Sequence, residues 1–263
     1  MRLELENRRA WVLGASSGLG RAVAESLAEE GARLAISSRD RDRLEAAGAQ
    51  LARTSGRPVV TEVLDVADGP AIATTCERVV DRLGGLDILV CNHGGPPAGG
   101  LESISPEVFA EAFQLVLASA FLLTKAAEPH LSRNGGTIVF VVSSSTKEVI
   151  PDLLLSNVMR MGVVGLAKSV ARELGPRGVR VLCVAPGRFD TERVRNLDDR
   201  RAASSGRTAD QVRSESINRI PLGRYGAPDQ FGDVVAFLCS ERASYLSGTT
   251  VVVDGGMLAS TSS

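Results

Sequence analysis

The residues best spaced for chemistry form the run Leu13-Gly14-Ala15-Ser16-Ser17-Gly18-Leu19-Gly20, which closes an apolar, β-branched stretch and opens an amphipathic one. Its glycines read Gly14-x-x-x-Gly18-x-Gly20. Lacking a Cβ, glycine tightens such a turn and lets backbone approach a ligand. Free N–H groups and the dipole at the helix start favour an anion there, as in dinucleotide sites. Glycines alone often only punctuate a chain; a strand before and a helix after give the spacing its meaning. Gly14, Ser16, Ser17, Gly18, Leu19 and Gly20 are therefore candidate contacts for a nucleotide diphosphate. The next apolar run ends Ser37-Ser38-Arg39. NAD(H) would want an acid at this point, whereas a 2′-phosphate wants hydroxyls and a guanidinium. Ser38 and Arg39 thus favour NADP(H) over NAD(H). The alternative is that Arg39 merely opens the alternating run Arg39–Arg43 on a solvated helix start.

Other chemistry has few places to sit. The 263 residues include two tyrosines (Tyr225, Tyr245), two histidines (His93, His130) and three lysines (Lys125, Lys147, Lys168), so 27 of the 30 basic residues are arginine. A net charge of −1 offers no global field to gather nucleic acid. The four cysteines stand far apart, giving no metal-ligand pair, and none is expected to bind a metal. Cys91 and Cys183 lie in apolar runs, as buried free thiols do, and a reduced, cytoplasmic setting is expected. The N-terminus lacks the apolar core of a signal peptide. No apolar stretch reaches the roughly 18 residues of a membrane span, so no membrane partner is expected.

The elements that must position the glycine loop are legible. Ala10–Leu13, Leu34–Ser37, Val59–Val63, Ile88–Cys91, Ile138–Val142, Val179–Val184 and Thr250–Val253 read as strands, nearly all apolar, as buried parallel strands are. Helical patterns fall at Gly18–Glu30, Asp68–Leu83, Pro106–Leu131, Ser156–Leu174 and Asp229–Leu238, with glycines at their ends. Strict alternation predicts one α/β domain over residues 1–263, a Rossmann-type doubly wound seven-stranded parallel sheet in an α/β/α sandwich. Residues 188–224 break the rhythm with nine arginines, six acids and no strand-like run. A connection this long is a functional lid or a solvated excursion. It leaves the C-terminal end of a strand, where open α/β sheets bind ligands, and this favours a substrate lid.

Taken together these motifs resemble the short-chain dehydrogenase/reductase family, over nearly the whole chain. Besides the glycine loop, Asp65-Val66 is similar to the family's Asp-Val beside the adenine. Asn92-His93-Gly94 resembles its Asn-Asn-Ala-Gly stretch, and Pro186-Gly187-Arg188-Phe189-Asp190-Thr191 its Pro-Gly-x-x-x-Thr. Gly223–Pro228, Tyr245–Gly248 and Val253–Gly256 complete the match. The resemblance implies nicotinamide cofactor contacts at Asp65, Val66, Asn92, Gly94, Pro186, Gly187 and Thr191, and usually a tetramer. In relatives a serine, a tyrosine thirteen residues on and a lysine four further carry the chemistry. Here those positions hold Ser143, Ser156 and Arg160, and the family's helical asparagine falls on Val116. The loop Gly94–Gly100 and the segment Pro151–Asn157 resemble a divergent subgroup, similar to 3-oxoacyl-carrier-protein reductases, with an imperfect catalytic tetrad.

The departure matters chemically. A phenol can be tuned towards neutrality by a neighbouring cation, whereas an aliphatic hydroxyl is a far weaker acid. Arg160 keeps a binding role towards ribose but cannot exchange a proton near neutral pH. The catalytic candidates are thus Ser143, Ser156 and Arg160, with Lys147 and His93 as pocket-rim alternatives for the missing proton donor. Three functions follow: an NAD(P)-dependent reductase of a small-molecule carbonyl, an acyl thioester among the candidates; a non-redox enzyme on the same fold; or a nucleotide-binding protein with impaired catalysis. The second long helix is apolar or small at Val163, Val164, Gly165, Ala167, Val170 and Ala171, which predicts packing into a homotetramer or homodimer.

Overall fold

The apolar runs become strands because each is buried on both faces. The computed structural model describes residues 3–260. Its strands are β1 (Arg9–Leu13), β2 (Arg33–Ser38), β3 (Val60–Val63), β4 (Ile88–Cys91), β5 (Gly136–Val141), β6 (Val179–Pro186) and β7 (Thr250–Val253). They pair in parallel in the order β3-β2-β1-β4-β5-β6-β7. Side chains alternate between two cores. Trp11, Leu89, Phe140 and Cys183 face one, and Val12, Val90, Val139 and Val184 the other. The first core is closed by α3 (Gly69–Leu83), α5 (Ser119–Leu131) and α6 (Leu154–Leu174). The second is closed by α1 (Gly18–Glu29), α2 (Arg41–Ser55) and α9 (Pro228–Cys239). The sheet order reverses between β1 and β4, which opens a crevice at their C-terminal ends.

Several elements differ from the expectations. Helix α2 was foreseen only as a helix start. Leu44, Ala47 and Leu51 form its buried stripe, masked in sequence by the charges on its outer face. Asp40 caps it by accepting from the Arg43 N–H at 3.0 Å, and Gly56 ends it in the left-handed region. Residues 188–224 fold into α7 (Glu192–Ser205) and α8 (Ala209–Asn218), so the segment is ordered helix. Thr191 caps α7, and Thr208 with Gln211 forms a capping box on α8. The residues named as an oligomer face on α6 are divided, with Gly165 exposed and the rest wholly or partly buried. Val163 and Ala167 are buried, while Val164, Val170 and Ala171 pack against the same core. Among the large apolar side chains left exposed are Phe109, Phe113, Phe121, Val158 and Met161, on this helix and its neighbours.

The stretch Pro106–Leu131 is continuous helix: α4 (Pro106–Ala112), a π-helical segment Phe113–Ala118, then α5. By length and composition it is apolar enough to cross a membrane, with mean hydropathy 1.5 over its best window. The sequence expectation counted unbroken apolar runs, which Lys125 and Glu128 interrupt. One face of this helix, through Ala112, Val116, Ala120, Leu123, Ala127 and Leu131, belongs to the protein's own core.

Candidate functional site

The glycine loop forms a cradle with no room for a side chain at Gly14 or Gly20. Gly14 and Gly18 adopt φ of +60° and +58°. A Cβ on Gly14 would overlap the Asn92 carbonyl oxygen, and one on Gly20 would overlap the carbonyl oxygen of Gly14. Asn92, at the end of β4, donates its side-chain amide to the carbonyls of Leu13 and Gly14 at 3.4 and 3.3 Å, fixing the loop. Ser17 caps α1 in extended conformation, yet its side chain makes no capping bond and no acid occupies the first turn. Helix N–H groups and two serine hydroxyls therefore remain available to an anion, which fits a nucleotide diphosphate. Thr191 closes the far side, its methyl carbon 3.8 Å from where a Cβ on Gly18 would stand. Gly187 passes against the Asp254 backbone, donating to the Val253 carbonyl at 2.9 Å and holding the Pro186-Gly187 turn on β7.

The expected adenosine end gathers at β2 and β3. Arg39 Nη1 lies 4.0 Å from Asp65 Oδ2, with both side chains exposed. Asp65 Oδ1 accepts from the Ala67 N–H at 3.0 Å, Val66 is buried, and Ser38 Oγ donates to the Asp40 carbonyl at 3.2 Å. A solvent-exposed pair at this distance is weak and leaves the Arg39 guanidinium ready to turn to a phosphate.

At the end of β5, Ser143 begins a short turn and its Oγ accepts from the Ser145 N–H at 3.1 Å. Ser145 Oγ lies 3.2 Å from Ser156 Oγ on α6. One turn along α6, the buried Arg160 donates from Nη1 to the Val141 carbonyl at 2.8 Å. Ser156 and Arg160 thus share a face, as their spacing requires. Ser145 was missed in the sequence; its place in the triple Ser143-Ser144-Ser145 was the available signal. Val116 is fully buried inside the π-helical segment. Ser119 Oγ donates to the Leu115 carbonyl at 2.6 Å, serving a backbone group that the widened turn would otherwise strand.

The two rim candidates differ. Lys147 follows the Ser143 turn and is half-buried. His93, after β4, has its ring Nδ1 3.1 Å from the Gly94 carbonyl. Burial, and then the Arg160 charge, push His93 down to about 4. It is neutral at physiological pH and is no imidazolium donor there. An unfolded chain binds a proton on this ring below 6.5, which the folded chain refuses until pH nears 4. Stability should therefore fall as pH drops through that window. His93→Gln is expected to flatten the loss by about 1–2 kcal/mol between pH 7 and 4, after allowing for partial exposure. Urea melts across that range check this; parallel curves for the two proteins would contradict it.

The segment 188–224 is tied down by ion pairs. Asp198 is buried and accepts from Arg188 Nη1 at 2.5 Å and from the Tyr225 hydroxyl at 2.8 Å. Arg213 stacks 4.5 Å over the Tyr225 ring and, with Arg195, pairs with Asp190. These contacts explain why a segment so rich in charge is helical rather than a loose excursion.

This architecture has close counterparts. A family model described as "Enoyl-(Acyl carrier protein) reductase" matches residues 14–258. Dehydrogenase/reductase SDR family member 4 from Bos taurus is 36% identical, over 97% of this chain and 88% of that relative. The uncharacterized oxidoreductase YxbG of Bacillus subtilis is 31% identical, over 98% and 93%. Among solved structures, L-sorbose reductase from Gluconobacter frateurii, complexed with NADPH and L-sorbose, superposes with a TM-score of 0.94 at 29% identity, covering 99% and 100% of the two chains. A variant of actinorhodin polyketide ketoreductase with NADPH gives 0.91 at 28%, covering 95% and 97%. The cradle at the sheet crevice, the family match from its first glycine to beyond β7 and relatives of near-equal length lead to one conclusion: the chain belongs to the short-chain dehydrogenase/reductase family of NAD(P)-dependent oxidoreductases.

Proposed function

We propose that this protein is an NADP(H)-dependent reductase of a small-molecule carbonyl compound, 3-oxoacyl-reductase-like, working with Ser156 and Arg160 where relatives hold tyrosine and lysine. One observation carries the reading. The diphosphate cradle after β1 lies two strands from the hydroxyl pair Ser145–Ser156, which is 3.2 Å apart beside Ser143 after β5. When bound, the cofactor supplies a hydride; the protein must place it and stabilise charge at the substrate oxygen.

Gly14, Ser16, Ser17, Gly18, Leu19 and Gly20 bind the diphosphate through backbone and hydroxyls. Ser38 and Arg39 take the 2′-phosphate, which underlies the NADP(H) preference, and Asp65 and Val66 border the adenine. Asn92, Gly94, Pro186, Gly187 and Thr191 bound the nicotinamide half. Arg160 spends one of five donors on Val141, which leaves donors for a ribose hydroxyl and, from Nη2, for the space over Gly95. Ser143 and Ser156 donate to the carbonyl oxygen, and a proton reaches it from solvent through these hydroxyls. Positioning and electrostatics supply much of a catalytic effect without a tuned acid.

The test is NADPH consumption matched against alcohol formation, over a panel of ketones, acetoacetate among them, and 3-oxoacyl thioesters. One-for-one conversion is expected with at least one of them. No turnover by protein shown to bind NADPH sinks the reading. It would favour the nucleotide-binding alternative, which draws on the neutral His93 and on the lack of a titrating group at Ser143 and Ser156.

The exposed Phe109, Phe113, Phe121, Val158 and Met161 lie on α4, the π segment, α5 and α6, and support a homodimer or homotetramer. The four buried free cysteines agree with a reduced, cytoplasmic setting.

A further inference from the structure

The lid's arginines are unequally partnered. Arg188, Arg195, Arg201, Arg207, Arg213 and Arg219 each pair with a carboxylate, and Arg224 bonds Gln230 and the Tyr225 carbonyl. Arg193 and Arg200 have no such partner among the described residues. They stand seven residues apart on α7, two turns along one face. Arg193 reaches across to Gly95, after β4. A Cβ there would overlap Arg193 Nη2 and lie 3.5 Å from Arg160 Nη2. Two guanidiniums, one from the lid and one buried in the scaffold, thus converge over a glycine whose missing side chain makes the room.

Like charges this close repel, and no acid among the described residues pairs with Arg160 or Arg193 to relieve them. Burial, and after it the Arg193 charge, push the Arg160 guanidinium down to about 10, so it stays protonated at neutral pH. An anion held between the two forks would offset the repulsion and gain charge-assisted hydrogen bonds. The location identifies its source. Gly95 follows β4 and Arg160 binds the end of β5, whereas the diphosphate cradle belongs to β1 and Arg39 to β2. The convergence lies at the nicotinamide end of the crevice, where a substrate must meet the hydride, and away from the diphosphate cradle.

We propose that Arg160 and Arg193 clamp an anionic group of the substrate, of carboxylate type, with α7 closing over Gly95. That the ligand is a substrate rests on the reductase reading; that an anion binds here does not. The probe is malonate, titrated calorimetrically into protein with and without saturating NADPH, with malonamide as the neutral comparator. Malonate should bind at least about tenfold tighter than malonamide. Arg193→Gln removes the charge, and Gly95→Ala keeps the charge but blocks its approach. Each should weaken malonate about tenfold or more and leave NADPH affinity within about threefold. Equal binding of malonate and malonamide overturns the clamp. So does an Arg193→Gln protein that loses NADPH as severely as malonate, which would give the arginine to a cofactor phosphate. Failure of hydride transfer with every ketone leaves the malonate isotherms unchanged, so the two ideas fail separately.

Discussion

Gly14→Ala should abolish useful cofactor binding, raising the Kd for NADPH at least about 100-fold, and should cost about 2–4 kcal/mol of stability. Two effects combine. At φ +60° any L side chain is strained. The new methyl would also overlap the Asn92 carbonyl oxygen and sit 2.9 Å from Asn92 Nδ2. The loop would have to move away from β4, and Asn92 would lose its grip on the Leu13 and Gly14 carbonyls. The cradle would open where the diphosphate must be enclosed. Gly18→Ala separates strain from overlap, since its nearest neighbours are Thr191 atoms at 3.8 and 3.9 Å. Strain alone should cost about 1 kcal/mol there. NADPH titrations and denaturant melts of both variants check this; a Gly14→Ala protein binding within about threefold of the native one would refute the cradle.

The second large effect is a gain. The double variant Ser156→Tyr with Arg160→Lys should raise carbonyl reduction roughly 100-fold, the lower end of what a positioned general acid contributes. Ser156 is half-buried, and among the described residues its hydroxyl bonds Ser145 alone, so a larger side chain there displaces a single hydrogen bond. A phenol there extends further than a serine hydroxyl and starts much closer to neutrality. Lysine at 160 would lower the phenol's pKa further while still donating to a ribose. The pH profile is the discriminating readout: the double variant should acquire an ionisation that the native enzyme lacks. An unchanged rate with an unchanged profile would mean the site is not arranged for hydride transfer to a carbonyl. Each single change should give less than the pair, because the tyrosine needs its cation.

Much of this protein was readable residue by residue. Apolar runs such as Trp11–Leu13 and Ile88–Cys91 announced parallel strands, because a strand buried on both faces has no polar side to show. The glycine spacing announced the cradle, because only glycine accepts the φ values and close approach at Gly14. Helix α2 was harder, since its stripe of Leu44, Ala47 and Leu51 is diluted by charge. The segment 188–224 was hardest. Its helices offset exposure with ion pairs, such as Arg188 to Asp198, Arg213 to Asp190 and three arginines to Glu215, whose partners lie up to 23 residues apart.

The linear chain by itself determined the fold class, the family resemblance and the residues at the reactive positions, because periodicity, glycine geometry and motif spacing are local properties written in consecutive residues. Only the tertiary structure decided which polar groups meet. Ser145 joins Ser156, His93 is held neutral beside Arg160, and Arg193 of α7 comes to Arg160 across Gly95. Burial and charge–charge energies depend on distances between segments remote in sequence, and folding alone sets those distances.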